Sequence, residues 1–183
     1  MTKYCVAFAL VLLAGCAGHD AGQPSAQAEP QSQAQPQAPD AQDISSIALQ
    51  RSPCFGACPV YELTLSADGQ VKFVGQRFVD ATGERTGVVA PAAFERVAAE
   101  VRALDFFALK DRYRLEEDGC TATTTDHSTA TFTVAAGGQE KTVSYYYGCM
   151  GLAIGPQLDA LAKSIDAAGN VAQWIGNRGA GNR

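Results

Sequence analysis

Cys54 and Cys58 are the residues whose type and spacing most directly suggest chemistry. They lie four positions apart in the stretch CFGACP, and Pro59 follows them. Two thiols at this spacing can serve as a redox dithiol, as soft ligands for a metal ion, or as a closed disulfide. The elements around them decide among these roles, because a reactive thiol needs surroundings that lower its pKa.

A redox dithiol of the thioredoxin type is disfavoured by the residues after CFGACP. Such dithiols have two intervening residues and sit at the N-terminus of a helix, whose dipole lowers the pKa of the thiol. Here three residues intervene, and the next segment, VYELTLSADGQVKF, alternates between polar and apolar residues as a strand does. We therefore expect no helix that could activate Cys54.

A copper site is the alternative that the same residues leave open. CFGACP and Asp126-His127-Ser128 together resemble the Cys-x-x-x-Cys-Pro and Asp-His-Ser motifs of the Sco family of copper chaperones. The resemblance implies that Cys54, Cys58 and His127 bind Cu(I), which prefers soft sulfur ligands. Sco proteins have a helix after the dithiol, whereas this chain has a strand pattern there. We therefore expect no metal or other cofactor and keep copper as the alternative.

The rest of the sequence offers no converging catalytic set. Asp126, His127 and Ser128 are adjacent, so on a strand their side chains point to alternate faces and cannot form a triad among themselves. His127 is the one histidine of the predicted domain, which excludes a histidine-rich zinc site. Acidic residues for a two-carboxylate hydrolase would be Asp111, Glu116, Glu117, Asp118 and Asp126. The segment RYRLEEDG, however, has the composition of a solvated loop, and we predict no enzymatic activity.

Disulfides are the first expectation for the cysteines of the domain. The chain has six cysteines, and Cys54, Cys58, Cys120 and Cys149 lie in the predicted domain. An even number in an exported protein predicts disulfides, and four cysteines allow three pairings. A Cys54–Cys58 bond would shape a turn between strands, whereas a Cys120–Cys149 bond would stabilise the domain by about 3 kcal/mol. The residues alone leave all three pairings open.

The first residues of the chain have the pattern of an export leader. Lys3 provides a positive charge, and the apolar stretch after it is shorter than the roughly 20 residues that span a bilayer. We therefore predict a signal peptide over residues 1–15. The sequence LAGC, which ends at Cys16, resembles the lipobox of bacterial lipoproteins, and this implies cleavage before Cys16 and its acylation. Ala17 after it implies sorting to the outer membrane, with the domain facing the periplasm.

Residues 16–43 are predicted to be a tether. After the lipidated Cys16, this segment is rich in Gln, Ala and Pro and has no aromatic or β-branched residue. Such a composition buries too little apolar surface to fold, so we expect a disordered spacer of about 30 Å.

Loss of Lys3 with the leader leaves 13 basic and 19 acidic residues, a net charge of −6. That charge argues against nucleic acid as a partner.

Residues 44–168 have the patterns of one α+β domain. Alternation predicts a strand over 44–51 and hairpins that turn at Ala67-Asp68-Gly69, at Ala81-Thr82-Gly83 and at Gly137-Gly138. A three-residue loop in the first hairpin places Leu65 opposite Val71 and keeps one apolar face. The second hairpin is predicted to pair Phe78-Val79-Asp80 with 85–89.

Two helices complete the predicted domain. Apolar residues at helical spacing predict that one helix begins at Pro91 and the other at Pro156. We expect a disulfide-stapled two-layer sandwich of antiparallel β-hairpins with both helices on one face, followed by a Gly- and Asn-rich tail over 169–183. In the run of three tyrosines, alternation assigns Tyr145 and Tyr147 to the core and leaves Tyr146 for a binding surface.

Several segments of the domain resemble the domain of unknown function 6438 family. They are Cys54-Phe55-Gly56-x-Cys58-Pro59-x-Tyr61, Asp68-Gly69, Val71-x-Phe73-x-Gly75, Phe106-Phe107-x-Leu109-x-Asp111-x-Tyr113 and Thr125-Asp126. The likeness runs from about residue 46 to residue 168. The family occurs in bacterial secreted proteins and lipoproteins, and it implies no activity. Cys120 and Cys149 look like an addition to its pattern, which favours the pairs Cys54–Cys58 and Cys120–Cys149.

These observations lead to one prediction of function and one alternative. We predict a membrane-anchored envelope lipoprotein whose non-catalytic domain binds another envelope component, either a protein or a glycan. The sequence does not identify the residues that contact this partner. The alternative is a periplasmic thiol or copper-binding protein that uses Cys54, Cys58 and His127.

Overall fold

The computed structural model describes residues 43–176. The strands in this range are β1 (Ile44–Arg51), β2 (Val60–Ser66), β3 (Gln70–Arg77), β4 (Gly83–Val88), β5 (Arg112–Tyr113), β6 (Ala122–Thr123), β7 (Thr129–Ala136), β8 (Gln139–Tyr146) and β9 (Cys149–Met150). The helices are α1 (Pro91–Ala103), α2 (Gly155–Ala168) and α3 (Ala172–Ile175), with 3-10 turns at Phe106–Ala108 and Glu116–Asp118. The predicted signal peptide, Cys16 and the tether up to residue 42 lie outside the described residues.

Seven of these strands form one sheet in the order β4-β3-β2-β1-β7-β8-β5. All neighbours in it are antiparallel except β5, which pairs with β8 in parallel. The strands β6 and β9 form a separate two-stranded ribbon. The α+β prediction is confirmed, and the parallel strand was missed because β5 has two residues and carries no alternation.

The core lies on one face of the large sheet. Side chains such as Leu49, Leu63 and Phe132 alternate onto this face and join one buried cluster with residues of both long helices. The helical members of the cluster include Phe94, Val97 and Val101 of α1 and Leu158, Leu161 and Ile165 of α2. The opposite face carries partly or fully exposed polar residues, among them Thr64, Thr131, Thr133 and Thr142. The domain is therefore a two-layer sandwich with one solvated sheet face.

Among residues 43–176, no helix has the length and apolar character needed to cross a membrane.

The two N-terminal hairpins test the predicted registers. Leu65 lies opposite Val71, and Gly69 has a φ of 90°, so the predicted three-residue loop is confirmed. The second hairpin was wrong: β3 itself pairs with β4, and Phe78-Val79-Asp80 belongs to their connection. This connection folds back over Gly75, where a Cβ would collide with the carbonyl of Ala81.

The folded chain continues beyond residue 168, the predicted end of the domain. Trp174 in α3 is buried, and its ring stacks on Phe73 with the centroids 5.0 Å apart. The carbonyl of Trp174 accepts hydrogen bonds from the backbone N–H groups of Asp80 and Ala81, each at 2.9 Å. The first part of the predicted tail thus completes the core beside the β3–β4 connection, and residues 177–183 lie outside the described range.

Candidate functional site

Both disulfides lie at one end of the large sheet. The structure pairs Cys54 with Cys58 and Cys120 with Cys149, as the family resemblance favoured. The first bond closes the loop between β1 and β2, and the second joins the ribbon strand β9 to the residue two positions before β6. Because β1 and β8 both end where β7 begins, these loops meet at the same edge of the domain.

The CFGACP loop presents an aromatic side chain to solvent. Phe55 is 87% exposed, and it lies between the two bonded cysteines. Its backbone N–H donates to the carbonyl of Asp126 at 3.0 Å. At the base of the loop, Ser52 N–H donates to the carbonyl of Thr129 at 3.0 Å, and Thr129 N–H donates to Ser52 Oγ at 2.8 Å. The disulfide and these bonds hold Phe55 on a fixed loop.

His127 lies in the segment that supports the CFGACP loop, next to Tyr146. The Tyr146 hydroxyl donates to the carbonyl of Thr124 at 2.8 Å and accepts from the His127 backbone N–H at 3.3 Å. Arg114 lies over the Tyr146 ring, with its guanidinium carbon 5.0 Å from the centroid. Tyr146 is only 8% exposed, so its expected place on a binding surface was wrong. The segment around β6 covers the Tyr146 side chain. Its close approach is possible because Gly148 has no Cβ, and a Cβ there would collide with the Thr124 carbonyl.

The residues of the copper alternative come from neighbouring segments. Asp126, which precedes His127, is hydrogen-bonded to the loop that carries Cys54 and Cys58. In the structure both sulfurs are consumed by the disulfide, and a disulfide offers no thiolate to a metal. Within residues 43–176, no group of three or more His, Cys, Asp or Glu side chains is arranged to hold a metal ion. Copper binding by this set therefore requires prior reduction of the disulfide.

A polar cluster at the foot of the CFGACP loop was missed by the sequence reasoning. Arg51 Nε donates to the Tyr61 hydroxyl at 2.8 Å, and its Nη1 donates to the Tyr147 hydroxyl at 2.9 Å. Arg51 Nη2 lies 2.6 Å from Asp166 Oδ2, and the Tyr61 hydroxyl donates to Asp166 Oδ1, also at 2.6 Å. The four residues join β1, β2, the residue after β8 and the last turn of α2.

Burial and mutual charge determine the proton affinities in this cluster. Burial disfavours the charge on Arg51, but Asp166, Tyr61 and Tyr147 outweigh it, so the pKa of the guanidinium lies above its ordinary value. Burial, followed by the Asp166 charge, raises the pKa of Tyr61 well above its ordinary range. Burial also raises the pKa of Tyr147, although Arg51 opposes the shift. The Arg51–Asp166 salt bridge is therefore flanked by two phenols that stay protonated at neutral pH.

Three of the acidic residues considered for hydrolysis have charged partners in the structure. Asp118 is buried, and its Oδ2 accepts from the backbone N–H groups of Arg114 and Leu115 and from Arg112 Nε at 3.1 Å. Glu117 is 3.5 Å from Arg112, and Asp111 pairs with Lys141. The interpretation of RYRLEEDG as a solvated loop was wrong for Tyr113 and Asp118, because both are buried. The Asp118 carboxylate organises its own loop.

These features define the class of protein. It is a small, disulfide-stapled α+β domain with an exposed phenylalanine on a loop at one end of its sheet. The chain belongs to the family described as a domain of unknown function (DUF6438), which matches residues 45–169. The family prediction made from CFGACPVY and the later segments is thus confirmed. No curated protein matches this chain.

Proposed function

We propose that this protein is an envelope lipoprotein of the bacterial outer membrane, anchored through Cys16 and facing the periplasm. Its domain binds another envelope component, a protein or a glycan, and catalyses no reaction. The leader pattern, the Gln- and Pro-rich segment after Cys16, and two disulfides suited to an oxidising compartment support this proposal.

The exposure of Phe55 is the observation that carries the binding function. At 87% exposure its ring contributes little to the core. Large aromatic side chains dominate the energetics of many interfaces, and a loop that is already closed loses little conformational entropy on binding. The disulfide and the hydrogen bond from Phe55 to Asp126 provide this preorganisation. We therefore assign the partner contact to the CFGACP loop.

Site-specific photo-cross-linking in intact cells tests the assignment. A photoreactive amino acid at position 55 is expected to capture an envelope partner, which mass spectrometry identifies as protein or glycan. The same probe at Val88, which is 86% exposed on β4, provides the matched control and should capture nothing specific. Capture at neither position, or equal capture at both, contradicts the proposal.

A second test uses affinity rather than proximity. Phe55→Ala should lower recovery of the cross-linked partner in pull-downs at least about tenfold, the loss typical of a hot-spot residue. Val88→Ala should leave recovery unchanged. Both variants should unfold at the wild-type urea concentration, because neither side chain is buried. Full recovery with Phe55→Ala would show that the loop does not make the contact.

A thiol or copper function is the second candidate, favoured by the bond that joins the Phe55 amide to the segment of His127. After reduction, Cys54, Cys58 and His127 would supply two thiolates and one imidazole. A competition titration of the reduced protein with Cu(I) should show weaker binding for His127→Ala than for wild type. His19→Ala, which changes the other histidine of the chain, is the control. Equal affinity of His127→Ala and wild type contradicts the three-ligand site.

A further inference from the structure

The two disulfides differ in their access to solvent. Cys120 and Cys149 are both buried. Cys54 and Cys58 are partly exposed, and the residues between them, Phe55, Gly56 and Ala57, are exposed. Thiol–disulfide exchange needs direct approach of a thiolate to one of the sulfurs, so access decides which bond reacts in the folded protein.

We propose that Cys54–Cys58 is a thiol–disulfide exchange site for a dithiol reductant, while Cys120–Cys149 stays closed. A thiolate of the reductant attacks one sulfur, forms a mixed disulfide and releases the other cysteine as a thiolate. The second thiol of the reductant then displaces the first cysteine. The reductant loses two electrons and becomes a disulfide. Its two protons are transferred to Cys54 and Cys58, which end as thiols.

The bonds around the loop make its opening a local event. The Ser52–Thr129 pair closes the base of the loop through backbone and hydroxyl groups, without the sulfurs. Beyond this pair, Arg51 and Tyr61 are fixed by Asp166. Neither cysteine of the loop belongs to the buried core cluster, whereas Cys120 and Cys149 both do. Reduction therefore removes one of the restraints on Phe55, while its backbone bond to Asp126, the sheet and the helices stay in place.

Timed reduction of the folded full-length protein tests this site, with dithiothreitol as the probe. Aliquots are alkylated and mapped by peptide mass spectrometry, while fluorescence of Trp174, the single tryptophan of the chain, reports on folding. We expect Cys54 and Cys58 to become alkylated at least about tenfold faster than Cys120 and Cys149, with native fluorescence throughout. In concentrated urea the two pairs should react at similar rates, because the fold no longer shields either bond.

Two results would overturn the inference. One is reduction of both bonds at the same rate in the native protein. The other is reduction of Cys54–Cys58 only after the Trp174 signal reports unfolding. The inference does not depend on an envelope partner for Phe55 or on copper binding, so a failed cross-link at position 55 leaves it standing.

Discussion

Arg51 Nη2 lies 2.6 Å from Asp166 Oδ2, and this ion pair joins the end of β1 to the last turn of α2. The two side chains are only 18% and 19% exposed, so water screens their attraction weakly. The Tyr61 hydroxyl binds both partners. The pair thus holds helix and sheet together directly beneath the CFGACP loop.

Removal of one partner of this pair should destabilise the domain. Asp166→Ala leaves the Arg51 charge in a poorly solvated site, and we expect a loss of about 3 kcal/mol in the free energy of unfolding. Urea denaturation followed by Trp174 fluorescence measures the change. Asp159→Ala removes a surface i,i+4 pair with Lys163 from the same helix and should cost less than about 0.5 kcal/mol. Equal losses in the two variants would contradict a special role for Asp166.

The raised pKa of Tyr61 predicts a loss of stability at alkaline pH. Below about pH 10 both states keep the phenol protonated, so its contribution to stability is complete. Above that pH the unfolded chain releases the proton while the folded protein retains it, and the free energy of unfolding falls by up to about 1.4 kcal/mol per pH unit. Urea denaturation from about pH 8 to about pH 11 should show a shallower fall for Tyr61→Phe. Parallel curves for the two proteins contradict this account.

Gly148 should be intolerant of any side chain. A Cβ there would collide with the Thr124 carbonyl and the Tyr146 ring, so Gly148→Ala should cost about 2 kcal/mol or more. It should also speed hydrogen exchange of the Phe55 amide, whose acceptor Asp126 lies in the displaced segment. Gly138→Ala is the control: its Cβ meets open space, and its φ of 77° alone predicts a cost of about 1 kcal/mol. Unchanged hydrogen exchange of the Phe55 amide in Gly148→Ala would show that the Asp126 segment is not displaced, which contradicts the prediction.

Cys16→Ser should convert the proposed membrane-anchored protein into a released one. Without the thiol no acyl chain can be attached, and the attraction of the anchor for the membrane is lost. Labelling with a radioactive fatty acid and fractionation of the envelope measure the effect. Cys5→Ser, which changes a cysteine upstream of the predicted cleavage point, should retain label and membrane association. Persistent label in Cys16→Ser would exclude Cys16 as the lipid site.

Alternation predicted the strands that are long enough to show it. The first strand, the hairpin at Gly69 and the hairpin at Gly137-Gly138 are present because each has several residues of one periodicity and a turn with glycine. The two-residue strands β5, β6 and β9 have no periodicity to detect. The prediction of the second hairpin was wrong because Phe78 and Val79 have the composition of a strand. In the structure they belong to a connection, which packs closely over Gly75 and is hydrogen-bonded to the Trp174 carbonyl.

The ion-pair cluster had a signal in the sequence that local patterns did not exploit. Arg51 is in phase with Ile47 and Leu49, so its charge lies on the apolar face of β1 and needs a buried partner. The partner, Asp166, is 115 residues away in α2. Periodicity identifies the face that Arg51 occupies but not which helix crosses it. The residues alone also left the disulfide pairing open, and only the family resemblance favoured Cys54–Cys58 and Cys120–Cys149.

The position of β1 affects how the domain folds. This strand is the first one among residues 43–176, yet it is central in the sheet. Leu49 pairs with nearby Leu63 on one side and with distant Phe132 on the other. The strands β1 to β4 are consecutive hairpins and can form from local contacts, but the far edge of β1 stays unpaired until the distant strand β7 docks against it. We expect closure of this long loop to be the slow, high-contact-order step, during which β1 is an open edge prone to aggregation. Substitutions in β7 should therefore slow folding more than equally destabilising ones in β4.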